Sequence, residues 1–403
     1  MKRSAMLFGA LMVGAASAAN AQGLTMQMSN GWMFSFAGNV NAFMIYSNSK
    51  SLVAGSFQTS GKDLSFGTGL LPAFATFEAS GKEGNTDLGV HFGFAPQVEF
   101  GGHNASFFGT DAAGAQIDMR QVYLHAGGSW GTLTMGKELG LYQRGNILTD
   151  MTLLGVGVGG GGRGTALGRI GYGYLYTDFR PQLTYSSVGG RPASFAIGLF
   201  EGLRVGPYTT IELPRVEAEL NYTSKMSNGS LKFFVNGAAQ TAKNGVSGST
   251  KSLTSTGVGG GVVLGFSSIA ITGSGFFATG MGSLLSGDGI VGGGNFDNGG
   301  VGVDNKSRKS FGYIGQLMFT PAGSQWMIGG SFGENHLKQN SADKTASGSS
   351  KEALKRRAIV GQITYKWTKS LRWVAEYANI AGYDLGTKDS KTNQGSLGMM
   401  LFF

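Results

Sequence analysis

The chain of 403 residues contains no cysteine. It can therefore form no disulfide, hold no thiolate-bound metal and use no cysteine nucleophile. Proline is scarce at 7 residues, and no proline-rich or long charged spacer divides the sequence into separate domains. Charged residues make up only 14 % of the chain. No internal run supplies the ~20 consecutive apolar residues that a membrane-crossing helix requires. Clusters of Lys and Arg beside stacking aromatics are also missing. The densest basic run, KRR at 355–357, fits a solvated strand end, so nucleic acid is not an expected partner.

What is abundant is glycine, at 71 residues, together with an aromatic content of 11 %. Glycine alone would suit a disordered chain, but aromatics at this level favour many short strands joined by turns. At the start, Lys2 and Arg3 precede an apolar run from Met6 to Val13 and then the small residues GAASAANAQ. Ala19, Asn20 and Ala21 form an A-x-A site, so residues 1–21 are expected to be a secretory signal peptide cleaved before Gln22. The formal charge of +9 would fall to +7 with loss of Lys2 and Arg3.

The remaining chain, 22–403, alternates between apolar and polar residues with the period of two that marks a strand. Val216, Ala218, Leu220 and Tyr222 oppose Arg215, Glu217, Glu219 and Asn221. Ile359, Ile363, Tyr365 and Trp367 oppose Gln362, Thr364 and Lys366. Phe34, Phe36, Val40 and Met44 oppose Ser35, Asn39 and Asn41. The last strand places Leu397, Met399, Leu401 and Phe403 on one face, with Ser396, Gly398, Met400 and Phe402 on a mixed face.

Sixteen strands are predicted, at 33–45, 71–80, 86–95, 118–126, 130–137, 180–187, 193–201, 212–223, 230–240, 256–266, 268–279, 309–320, 324–333, 356–367, 371–380 and 394–403. Tight turns such as GGSWG and TPAGS alternate with long polar segments at 46–70, 96–117, 138–179, 202–211, 241–255, 280–308, 334–355 and 381–393. A soluble sandwich has no reason to gather its long loops at one rim. A transmembrane barrel does, with an apolar outer face, a polar interior and aromatic girdles, to which Trp367 and Trp373 are suited. The expected fold is therefore an all-β, 16-stranded antiparallel transmembrane barrel, its last strand paired with its first because no edge can lie open in lipid. Outer-membrane lipid is then a direct partner, and no cofactor is expected.

Four stretches resemble one family. FAGNVNAFMIYSN (36–48), MRQVYLHAGGSWGTLTMGKELGLY (119–142), QLTYSSVGGRPASFAIGLF (182–200) and YKWTKSLRWVAEYANI (365–380) are similar, in this order, to segments of Gram-negative general porins of the Burkholderia-like and Neisseria-like type. The resemblance implies an outer-membrane location, a homotrimer and passive diffusion of ions and small hydrophilic solutes. It also implies that the third loop, 138–179, folds inward to form a constriction. The terminal Phe403 with Leu401, Met399 and Leu397 looks like the signal read by barrel assembly machinery.

Selectivity in a pore comes from its width and from the charges at its narrowest point. The candidates are Lys137, Glu138, Arg144 and Asp150 on or beside the loop, and Arg120, Arg180, Arg372 and Glu376 on the wall. The loop departs from the family pattern in having a single mid-loop carboxylate, Asp150. Its basic excess leans mildly toward anions, with Arg120, Arg144, Arg180 and Arg372 leading. Lys137 shares parity with Leu133 and Met135, which leaves its direction open. The glycine run GVGVGGGGRG (155–164) lacks the strand-to-helix context of a phosphate loop.

Other functions find less support in the residues. Four histidines, His91, His103, His125 and His336, are scattered, and Ser129 beside His125 lies in a turn. No nucleophile–base pair is placed for catalysis, and Glu217 and Glu219 read as lumen charges, so no enzyme activity is expected. A substrate-specific channel, or a barrel carrying surface loops as an adhesin or receptor, are the alternatives.

Overall fold

A computed structural model of the chain describes residues 23–29, 31–53, 56–98, 117–159, 165–282 and 298–403. The expected signal segment 1–21, its cleavage point and His103 lie outside these residues. Eighteen strand segments follow in order: β1 (Leu24–Gln27), β2 (Met33–Val53), β3 (Ser56–Gly67), β4 (Phe74–Glu83), β5 (Thr86–Pro96), β6 (Ile117–Gly128), β7 (Gly131–Leu139), β8 (Phe179–Ser186), β9 (Ala193–Phe200), β10 (Arg215–Met226), β11 (Gly229–Lys243), β12 (Ser252–Phe266), β13 (Ile269–Thr279), β14 (Lys309–Phe319), β15 (Trp326–Leu337), β16 (Leu354–Lys366), β17 (Leu371–Asp384) and β18 (Thr387–Phe402).

Neighbours pair antiparallel around a closed barrel of sixteen positions. β3 and β4 share one position, β3 against the upper part of β2 and β4 against its lower part. β1 pairs with Met33–Phe36 of β2, below the end of β18. The seam closes where β18 meets β2, with Leu401 opposite Val40 and Leu397 opposite Met44. It is extended by two backbone bonds between Phe403 and Gly38, at 3.0 and 2.9 Å. The Phe403 ring rests on Phe36, 5.3 Å between centroids.

The alternation predicted from the sequence sets the two faces. Outward residues such as Ile197, Leu220, Ile271, Leu317, Ile363 and Leu401 are exposed and form an apolar belt, while Gln182, Thr184, Glu217, Asn236, Gln316 and Gln362 point inward and are buried. Aromatic pairs ring the end that carries the short turns: Trp130 with Tyr185 at 6.4 Å, Trp326 with Tyr365 at 4.5 Å, and Trp367 with Trp373 at 6.4 Å. No helix among the described residues is long and apolar enough to cross a membrane, which says nothing of a barrel that crosses with strands.

Two predicted loops are largely strand. Most of 46–70 is the extension of β2 and all of β3, and most of 381–393 extends β17 and β18 around a turn at Leu385–Gly386. In these extensions Asn48 lies opposite Asn393, Ser49 opposite Thr392, and Lys50 opposite Lys391. Beyond the apolar belt both faces of a strand are polar, so the period-two signal vanishes although the backbone ladder continues. β1 gave no sequence signal either, since all four of its residues are exposed.

Candidate functional site

The segment between β7 and β8 enters the barrel, and many of the polar side chains it meets hold its backbone. A loop buried in a lumen must find partners for its N–H and C=O groups. The inward side chains of the strands provide them. Glu217 on β10 accepts from the N–H groups of Leu141 and Tyr142 at 2.7 and 2.8 Å, and its other oxygen accepts from Arg215 Nε at 2.6 Å. Asn236 on β11 accepts from Gln143 N at 2.9 Å. A one-turn helix, Arg144–Leu148, follows. There Arg144 donates two hydrogen bonds to Glu219, at 2.8 and 3.2 Å.

Gln316 on β14 accepts from Met151 N at 2.6 Å and donates to Thr149 O at 2.9 Å. Glu376 on β17 accepts from Val156 N at 2.7 Å and Gly157 N at 2.8 Å, while Gln362 on β16 donates to its second oxygen at 2.7 Å. Gln394 on β18 accepts from Gly159 N at 3.0 Å and donates to Gly157 O at 2.9 Å. Asn335 on β15 accepts from Gly173 N at 2.8 Å and donates to Tyr174 O at 3.2 Å. Loop 3 is thus stitched to the wall from β10 round to β18.

The fit is close enough to require glycine at particular points. A Cβ on Gly155 would collide with Glu376 Oε1, and one on Gly168 with Leu70 Cδ2. Gly157 and Gly168 also sit at φ of 58° and 57°, where side chains are strained. Of the glycine run 155–164, residues 160–164 lie outside the described residues.

A second inward excursion, Thr68–Ala73, interrupts the strand position shared by β3 and β4 and pairs with loop 3. Leu70 N donates to Gly155 O at 2.8 Å, Leu71 N to Leu153 O at 3.1 Å, and Ala166 N to Thr68 O at 3.1 Å. It is held from the wall by Asn39, which donates to Pro72 O at 3.0 Å, and Asn41, which donates to Leu71 O at 3.0 Å.

Inward apolar residues meet the loop as well. Phe43 on β2, Val374 on β17, and Met400 and Phe402 on β18 are buried against Val156 and Ala166. This explains the mixed face of the last strand: Leu397, Met399 and Leu401 point outward and are exposed, whereas Met400 and Phe402 are covered by loop 3.

The individual candidates are distributed as follows. Arg120 is the extra residue of a β-bulge, since Met119 opposes Phe94 and Gln121 opposes Gly93. The bulge turns Arg120 into the lumen, where it donates to Asp118 at 2.7 Å and Thr165 at 3.2 Å and covers the Phe179 ring. Lys137 lies on the outward face opposite Val122 and donates to Met119 O at 3.1 Å. Glu138 accepts from Gln121 at 3.0 and 3.1 Å.

Arg144 and Asp150 are buried, 8 % and 5 % exposed, so neither side chain meets the open lumen. Asp150 accepts from Thr152 N at 2.8 Å, Arg169 N at 3.1 Å and the Tyr174 hydroxyl at 2.5 Å, and so braces the loop from within. Arg180 pairs with Asp178 at 3.0 Å and donates to Glu201 O at 2.6 Å. Arg372 is buried beside the Phe402 ring, and Glu376 is spent on the loop. Only Arg120 and Glu138, of the eight named charges, stand inward and half-buried beside the loop.

The residues that hold the two inward segments were largely missed, because Gln316, Asn335 and Gln394, which hold loop 3, and Asn39 and Asn41, which hold Thr68–Ala73, carry no charge. A signal existed in the form of amides at inward parity.

No protein-family model and no curated protein sequence matches the chain. Solved structures match by shape. The outer membrane channel DcaP of Acinetobacter baumannii superposes with a TM-score of 0.66 at 14% identity, over 94% of this chain and 99% of that one. An anion-selective porin from Comamonas acidovorans gives 0.59 at 13%, over 92% and 100%. OmpF of Salmonella typhi, in complex with daunomycin, gives 0.55 at 13%, over 94% and 100%. The chain shares their barrel fold.

Proposed function

We propose that the chain is an outer-membrane channel through which ions and small hydrophilic solutes diffuse passively. The observation that supports this most is loop 3, held within the barrel by inward side chains of β10, β11 and β14–β18, so that it narrows the interior. A soluble barrel would have no use for an apolar belt of exposed Ile, Leu and Val outside a polar interior. On this reading 1–21 is removed before Gln22, the domain is 22–403, the short turns face the periplasm and the long loops the exterior. Leu397, Met399, Leu401 and Phe403 serve as the assembly signal, and the protein works as a trimer of the Burkholderia-like or Neisseria-like porin type.

Selectivity is mild, with a lean toward anions. Arg144, Arg180 and Arg215 each sit in an ion pair, which damps their field. The carboxylates of Asp150 and Glu376, which would attract cations, are likewise occupied by loop hydrogen bonds. Proteoliposomes loaded with an impermeant sugar and diluted into sugars of rising size test the proposal. Swelling that falls off with solute size is expected, and liposomes that never swell, though they contain folded barrel, would contradict it.

A further inference from the structure

The inner surface of loop 3 inverts the usual placement of side chains. Charged residues ordinarily seek water and leucines avoid it. Here Arg144, Asp150 and Arg169 are buried at 8 %, 5 % and 0 % exposed. Arg169 donates to Ala358 O at 2.6 Å, and to Ser331 on β15 and Tyr172 O. The half-buried residues include Leu148, Leu154, Leu167 and Tyr176, beside Thr149, Thr165, Tyr172 and Asp178, and are joined by Leu71 from the inward excursion. Leu71, Leu148, Leu154, Leu167 and Tyr176 all pack on one buried cluster that includes Leu70, Ile147, Leu153 and Tyr174. Leu71 and Leu154 also touch the Phe43–Met400 cluster at the seam.

The opposite side of this loop is bonded to the wall. Enclosed by the barrel wall, the exposed part of these side chains faces the barrel interior, into which Arg120 and Glu138 also point, with Arg120 meeting the loop at Thr165. Apolar surface kept in water inside a polar channel is a feature of binding sites rather than of plain water-filled pores, and apolar constrictions control what passes.

We propose that this leucine face is a solute-binding strip, and that the channel favours small amphipathic solutes, with a compact aliphatic or aromatic body and a polar head, over wholly polar solutes of equal size. The apolar body displaces water from Leu71, Leu148, Leu154, Leu167 and Tyr176 while the polar head meets the Arg120–Glu138 side. This inference rests on the channel reading and adds the solute class.

Phenylalanine and glutamine are both zwitterions at neutral pH, so they differ in side chain and not in net charge. Their concentration-dependent block of single-channel current separates the two cases. Half-block by phenylalanine is expected at a concentration roughly tenfold or more below that for glutamine. Leu148→Asn/Leu154→Asn should bring the ratio to within about twofold while keeping the salt conductance, and Leu148→Met/Leu154→Met should retain it. If the Asn pair gives no channels, Leu154→Ser alone is read by the same ratio. An open wild-type channel blocked equally by both amino acids, or an Asn pair that keeps the full ratio, overturns the strip and leaves the channel standing. A folded protein that conducts nothing overturns both.

Discussion

Single side chains decide where the loop lies. Glu376 is the sharpest case: among the described residues it has no cationic hydrogen-bond partner, and it accepts from two backbone N–H groups and the Gln362 amide. Glu376→Ala leaves Val156 N and Gly157 N buried and unpaired, at about 1–3 kcal/mol for each orphaned group. A lowered thermal unfolding midpoint in detergent and noisier open-channel current are the expected readouts. Unchanged stability and unchanged noise would mean that this anchor is dispensable.

A second residue-scale prediction concerns the long-loop end. Asp343 is buried and accepts from Arg308 at 2.7 and 2.9 Å, from Val303 N at 2.9 Å and from Asn340 N at 3.0 Å. Burial alone would raise its carboxyl, but the Arg308 guanidinium and the two N–H groups outweigh burial and hold it down to about 2. A depressed folded pKa gives stability that is complete above the unfolded value near 4 and is lost as pH falls through 2. The shift corresponds to about 2 kcal/mol. The protection factor of Val303 N, its exchange rate relative to an unfolded amide at the same pH, should therefore hold down to about pH 4 and fall below it. In Asp343→Asn, Val303 N should exchange faster at pH 6 and lose that step.

Elements were legible where their two faces differ. Each of the sixteen predicted strands corresponds to a strand, because outward Ile, Leu and Val alternate with inward Gln, Glu and Asn. The signal failed where the faces stop differing, as in the Ser- and Asn-rich extensions of β2 and β18. Arg120, named for the wall, does stand inward, though strict parity with Leu124 would point it outward and a bulge invisible in the sequence turns it in. Phe43, Met400 and Phe402 show another limit: an inward apolar residue makes sense only once the loop that covers it is known.

The outward face of β18 gives an element-scale test of what surrounds the barrel. Leu397→Arg should cost up to roughly 2–4 kcal/mol of unfolding free energy in lipid bilayers if this face lies at mid-membrane depth. No loss would mean that Leu397 faces water or headgroups. Removing Phe403 takes away both backbone bonds to Gly38 and the contact with Phe36, and should slow insertion into bilayers. Insertion at the full-length rate would count against a role for this residue in closing the seam.

At the scale of the whole molecule, the sequence led to a closed barrel with an inward third loop, but not to what the loop presents. The charged residues of loop 3 looked like pore lining because charge is the visible feature of a sequence. In the structure Arg144, Asp150 and Arg169 are buried and fasten the loop, while Leu148, Leu154 and Leu167 are only half-buried. Burial depends on partners such as Glu219, Ser331 and Tyr174, which come from strands or loop turns distant in sequence and cannot be paired from one chain alone.

The central claim is that a water-filled path remains between loop 3 and the β4–β8 wall. The most direct measurement is single-channel recording in a planar bilayer of the mature protein folded from detergent, with reversal potentials under a salt gradient. Stepwise openings whose conductance rises with salt, and a small reversal potential of the sign for anions, are predicted. A folded, inserted barrel that never conducts would contradict the account, and a steep cation selectivity would contradict its electrostatics.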